Sequence, residues 1–105
     1  MKQAFFSALA ATALLAASPA PALTVHISNF AFSPANATIV AGQSITFVNE
    51  DQVAHTVTAD DKSFDSGDME PGKSWTHTFD KPGTYKYTCI YHFNMNGTVT
   101  VKPSS

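Results

Sequence analysis

From Leu23 onward the chain never holds a helical period. It alternates apolar and polar residues over short runs, and glycine, proline or asparagine cuts each run short. Leu23-Thr24-Val25-His26-Ile27-Ser28, Ser44-Ile45-Thr46-Phe47-Val48, Ser74-Trp75-Thr76-His77-Thr78-Phe79 and Thr84-Tyr85-Lys86-Tyr87-Thr88 each place one class of residue on each face. Thr38-Ile39-Val40, His55-Thr56-Val57-Thr58 and Gly97-Thr98-Val99-Thr100-Val101 read as further strands. Between them lie Ser33-Pro34-Ala35-Asn36, Ala41-Gly42-Gln43, Pro71-Gly72 and Lys81-Pro82-Gly83, which are turn chemistry. Such a pattern predicts an all-β fold, an antiparallel sandwich or barrel around one core. No internal repeat or second domain interrupts it.

The first 22 residues follow a different logic. Lys2 gives a basic start, Ala4 to Ala17 an apolar run, and Ala20-Pro21-Ala22 a small-residue cleavage signal. The run falls short of the roughly 18–20 apolar residues that a membrane span needs. Residues 1–22 are therefore expected to be a removed signal peptide and 23–105 the domain, exported to a periplasm as a soluble protein with no membrane span.

An exported domain of this size usually needs a staple beyond its core, yet its single cysteine, Cys89, cannot form an internal disulfide. A free thiol in an oxidising compartment is a liability unless it is buried or ligated. A bound metal would meet both needs, because an ion that binds only the native state stabilises it.

Cys89-Ile90-Tyr91-His92-Phe93-Asn94-Met95 carries that thiol with a histidine and a methionine, spaced C-x-x-H-x-x-M between two strand patterns. Thiolate, imidazole and thioether form a soft donor set, suited to copper and poorly suited to calcium, magnesium or zinc. A trigonal copper site asks for a second histidine. His26 shares a strand face with Thr24 and Ser28 and reads as exposed. His77, between Trp75 and Phe79 in parity, reads as a half-buried, hydrogen-bonded strand residue. His55 opens a strand directly after the polar turn Asn49-Glu50-Asp51-Gln52, with the parity of Val57, and is the better candidate. Residue chemistry alone leaves the choice open.

Four blocks decide it by resemblance. Asp51-Gln52-Val53-Ala54-His55-Thr56-Val57-Thr58, Met69-Glu70-Pro71-Gly72-Lys73-Ser74-Trp75, Pro82 to Cys89 and Met95 to Val101, in this order, resemble a cupredoxin. The tight ligand loop is similar to that of the amicyanin-like group. The resemblance implies a Greek-key β-sandwich of about seven to eight strands and one type 1 copper ion cycling between Cu(I) and Cu(II). It implies His55, Cys89 and His92 as the trigonal ligands and Met95 as the axial one. It also implies a monomeric carrier of single electrons, not an enzyme. Its partner would be a c-type cytochrome or a periplasmic dehydrogenase or reductase, docking near His92 over Met69, Ile90, Tyr91 and Phe93. The alternative on the same fold is a periplasmic copper-binding or delivery protein.

The chain departs from the family pattern twice. Phe93 stands where many relatives have proline, which restores an N–H expected to reach the Cys89 sulfur. Thr56 stands where relatives commonly have asparagine, so the tie between the two ligand segments is expected to be looser.

Charge excludes more than it suggests. There is no arginine, the lysines are scattered, and no basic patch supports nucleic-acid binding. The acids gather at Glu50, Asp51, Asp60, Asp61, Asp65, Asp68 and Glu70 and read first as a solvated face, second as a docking patch for a basic partner. A Cys89 nucleophile with His92 as base lacks a third group and an oxyanion site, which disfavours an enzyme.

Overall fold

The computed structural model describes residues 21–104. The expected signal peptide lies outside the described residues apart from Pro21 and Ala22. Eight strands follow in order: β1 (Leu23–Ser28), β2 (Ala31–Ser33), β3 (Asn36–Val40), β4 (Ser44–Asn49), β5 (Thr58–Ala59), β6 (Ser74–Thr78), β7 (Gly83–Cys89) and β8 (His92–Lys102). They form two four-stranded sheets, ordered β2-β1-β4-β6 and β3-β8-β7-β5. The fold is an all-β sandwich.

Both sheets are mixed, which corrects the antiparallel expectation. β1 pairs parallel with β4, setting Val25 beside Phe47, and β3 pairs parallel with β8, setting Ala37 beside Val99. The cause is the route of the chain. β2 ends one sheet's edge, β3 begins the other sheet, and β4 returns to lie beside β1 in the same direction. Local alternation carries no information about such non-local pairings.

The alternation does fix what is buried. Val25 and Ile27 of β1 and Ile45 and Phe47 of β4 are fully buried, and face Tyr87, Val99 and Val101 of the other sheet. Phe47 and Tyr87 meet edge to face across the interlayer space, with ring centroids 5.5 Å apart. Each such side chain contributes about 1.5–3 kcal/mol on burial. Tyr87 also lies over Gly97, its partner across the β7–β8 pair, where a Cβ would fall 2.2 Å from the ring. Gly97 is therefore the residue that lets Tyr87 lie flat in the core.

Two local elements differ from expectation in ways that build the site. His55–Thr58 is not a strand: only Thr58 enters β5, and His55 makes an isolated bridge with Met69. Its backbone donors go elsewhere, Thr56 N–H to the Cys89 sulfur and Val57 N–H to the Ser66 hydroxyl. The stretch from Cys89 to Met95 is less a loop than a tight hairpin. Ile90 and Tyr91 form its turn, Cys89 pairs with His92, and Met95 already lies within β8.

Candidate metal centre

Cys89, at the end of β7, follows Tyr85 and Tyr87 on the inward parity and is fully buried. A two-residue turn later, His92 brings its Nδ1 to 3.5 Å from the Cys89 sulfur. From the segment between the sheets, His55, also fully buried, brings its Nδ1 to 3.7 Å from the same sulfur. The donor atoms of His55, Cys89 and His92 all lie within 4.8 Å of one another. Met95, 2% exposed, is buried beside them in the hairpin's second strand. The structure thus brings His55, Cys89 and His92 together, with Met95 near them, and places the other two histidines elsewhere. His26 is exposed and pairs with Glu50. His77 is half-buried as expected, but stacks on Trp75 at 5.1 Å, and among the described residues its side chain has no hydrogen-bond partner.

A carboxylate fixes the His55 ring. Asp51 Oδ2 lies 2.9 Å from His55 Nε2. An ionised carboxylate can only accept, so Nε2 carries a proton and donates it to Asp51, which leaves Nδ1 as the ring nitrogen facing the sulfur. Burial pushes the Asp51 carboxyl up, but the N–H groups of Phe30 and Asn29 and the His55 imidazole outweigh it and hold the group below its usual range. The backbone of His55 is pinned as well, its N–H to the Met69 carbonyl and its carbonyl to the Met69 N–H. Fully buried Asn49 completes the support. Its amide donates to the Val53 and Met69 carbonyls, and its oxygen accepts the Asp51 N–H.

Asp51 and Phe30 are the residues that sequence reasoning missed. Asn29 and Phe30 both take left-handed backbone angles, φ 55° and 58°, costly for residues with a Cβ. Asp51 accepts both of their N–H groups, at 2.8 and 2.9 Å. The turn so held sets the Phe30 ring edge to face against both imidazoles, 5.2 Å from His55 and 4.8 Å from His92. The only available signal was Asp51 standing four residues before His55. Nothing in the sequence pointed to Phe30.

Thr56 ties the two ligand segments together twice. Its backbone N–H points at the Cys89 sulfur, 3.4 Å away, and its hydroxyl accepts the Ile90 N–H at 3.0 Å. Among the described residues this is the one backbone N–H donated to the sulfur, which corrects the role expected of Phe93. Phe93 instead projects outward, 82% exposed. Met69 is buried, so it leaves the apolar surface around His92 to Phe30, Ile90, Tyr91 and Phe93. Tyr91 donates its hydroxyl to Asp68, a bond that raises the phenol above its usual range.

One thiolate and two imidazoles on a buried, prebuilt frame fit copper, and the neighbouring thioether adds a soft fourth donor. Comparison with known proteins agrees. The family model for a cupredoxin-like domain matches residues 3–101. A plastocyanin from Scenedesmus fuscus is 34% identical over 84 residues, covering 68% of this chain and 86% of its own. Amicyanin-alpha from Methylorubrum extorquens is 32% identical over 103 residues, covering 91% of this chain and 87% of its own. In structure, a copper-containing nitrite reductase from Thermus scotoductus superposes with a TM-score of 0.77 at 29% identity, covering 86% of this chain but 24% of that enzyme. The site, the sandwich and these relatives converge: the chain belongs to the cupredoxin-like family.

Proposed function

We propose that the protein is a small blue copper carrier of single electrons, with His55, Cys89 and His92 as the trigonal ligands of one copper ion and Met95 as its axial contact. Copper supplies the one-electron couple. The observation that carries the reading is the convergence of the three donor atoms within 4.8 Å on residues already held by Asp51, Asn49, Met69 and Thr56. A frame braced in this way resists rearrangement when charge changes, which is the condition for rapid electron exchange.

His92 is the partly exposed member of the set, while His55 and Cys89 are sealed. Its ring lies among Phe30, Tyr91 and the exposed turn, so a redox partner docking on this apolar surface would come within reach of it. That partner is a c-type cytochrome or a periplasmic dehydrogenase or reductase, and the carrier reaches the periplasm through its first 22 residues. Among the described residues no helix is long and apolar enough to cross a membrane. Delivery of copper to another protein would ask for donors that a partner can reach, and full burial of His55 and Cys89 opposes it.

The test is an optical and EPR spectrum of residues 23–105 after addition of Cu(II). An intense thiolate-to-copper band with narrow hyperfine splitting is the expected result. A pale protein with an ordinary tetragonal spectrum would reject the ligand set.

A further inference from the structure

The acidic stretch after β5 is engaged with the ligand hairpin at three points. Asp60 Oδ1 accepts the Thr88 hydroxyl at 2.9 Å. Asp68 accepts the Tyr91 hydroxyl. Asp65 reaches Ile90 through a chain of two buried hydroxyls. The Ile90 N–H donates to Thr56 Oγ1 at 3.0 Å, Thr56 and Thr58 hydroxyls share a bond of 3.0 Å, and Thr58 donates to Asp65 Oδ1 at 3.0 Å. Each threonine has one proton. The Thr58 proton goes to the carboxylate, so the Thr56 proton must go to Thr58, and the whole chain runs in one direction from Ile90 to Asp65. Residues 88, 90 and 91 are thereby tied to three different carboxylates, and Cys89 lies between them.

Solvation alone does not explain this arrangement. Thr56 and Thr58 are 1% and 6% exposed, and a buried hydroxyl is retained only where it is satisfied. Low local polarity strengthens each link of such a chain and also makes a broken link costly. The hairpin turn itself is exposed at Ile90 and Tyr91 and has little packing of its own.

We propose that the acidic loop is a brace for the ligand hairpin, and that Asp65, acting through Thr58 and Thr56, is a positioning residue for the Cys89 thiolate. The proposal rests on the copper reading above for its thiolate half only. It gives the loop a use that neither a solvated face nor a docking patch describes: three of its exposed carboxylates accept hydrogen bonds from, or relayed from, the ligand hairpin.

The test compares Thr58→Val, which keeps the side chain's shape and removes the relay, with Thr58→Ser, which restores the hydroxyl. Asp65→Ala, on the exposed loop, breaks the same chain without touching the core. In the metal-free protein, Ile90 amide hydrogen exchange is expected to speed up roughly five- to tenfold in Thr58→Val and Asp65→Ala. The Val99 amide should be unchanged, and Thr58→Ser should behave as the parent. After Cu(II) loading, the first two variants should shift the thiolate-to-copper band and widen the hyperfine splitting, and Thr58→Ser should not. Unchanged Ile90 exchange in both breaking variants would overturn the brace. Faster exchange with an unmoved copper spectrum would overturn the positioning of the thiolate. A parent protein with no thiolate-to-copper band would reject the copper reading and the thiolate half with it, while the exchange rates would still decide the brace.

Discussion

The carboxylate of Asp51 stands 2.9 Å from the Nε2 of His55, and the same carboxylate holds the turn that carries Phe30. One side chain thus sets the tautomer of a proposed ligand and the position of the aromatic ring against it. Partners of this kind affect metal affinity by about 10–100-fold when removed. Asp51→Ala is accordingly expected to weaken copper binding by about that factor, as read by competition with a chelator of known affinity. It should also release Phe30, visible as a loss of ring-current shift on the His92 protons. Unchanged affinity would mean that backbone contacts alone orient His55.

Gly97→Ala should be the most damaging small change in β8. The added Cβ would meet the buried Tyr87 ring at 2.2 Å, so the ring would have to move. Overpacking of this order costs about 1–3 kcal/mol. Denaturant unfolding of the metal-free protein should show the midpoint falling with the slope nearly constant.

His77 predicts a pH effect separate from the metal site. Burial against Trp75, Phe64 and Phe79 lowers its pKa below the ordinary 6.5, and nearby Asp80 only partly opposes this. The folded state therefore binds its proton less readily than the unfolded chain does. Stability is fully present above the unfolded pKa and falls as pH drops from there toward the folded value. His77→Phe should flatten that part of the stability profile of the metal-free protein. The informative quantity is the difference between parent and variant from pH 7 to 5, and a constant difference would show that His77 does not titrate differently on folding.

Phe93 is the most exposed large apolar residue described, at 82%, and follows His92 directly. Phe93→Ala should leave the copper spectrum unchanged, since no hydrogen bond from it reaches the sulfur. Electron self-exchange, which on the proposed reading brings two molecules together through this surface, should slow. Equal rates would place the contact surface elsewhere.

Copper itself should act as a stabiliser. Binding only to the native state contributes about 2.7 kcal/mol at a free concentration one hundred times Kd. The melting temperature should rise on loading in the parent and stay near the metal-free value in Cys89→Ser.

How much of this was legible beforehand follows the range of the interactions. β1, β4, β6 and β7 could be read from alternation because burial on one face is a local pattern. The parallel pairing of β1 with β4 could not, since it depends on where the intervening chain crosses. His55–Thr58 looked like a strand because its side chains alternate with Val57, but its N–H groups are spent on a sulfur, a serine hydroxyl and a bridge. Cys89, His92 and Met95 were legible because a soft donor set at that spacing has few other uses. Choosing His55 over His77 took a resemblance. The Asp51–Phe30 contact and the Thr56–Thr58–Asp65 chain join segments that only the folded sheets bring together.

The placement of His55 has a kinetic consequence. It lies on the passage from β4 in one sheet to β5 in the other, whereas Cys89 and His92 belong to the second sheet alone. The ligand hairpin by itself does not assemble the three donors, so the site is complete only once the passage carrying His55 is folded against it. In a refolding sample the thiolate-to-copper band would therefore report when the β4–β5 passage has docked against the ligand hairpin.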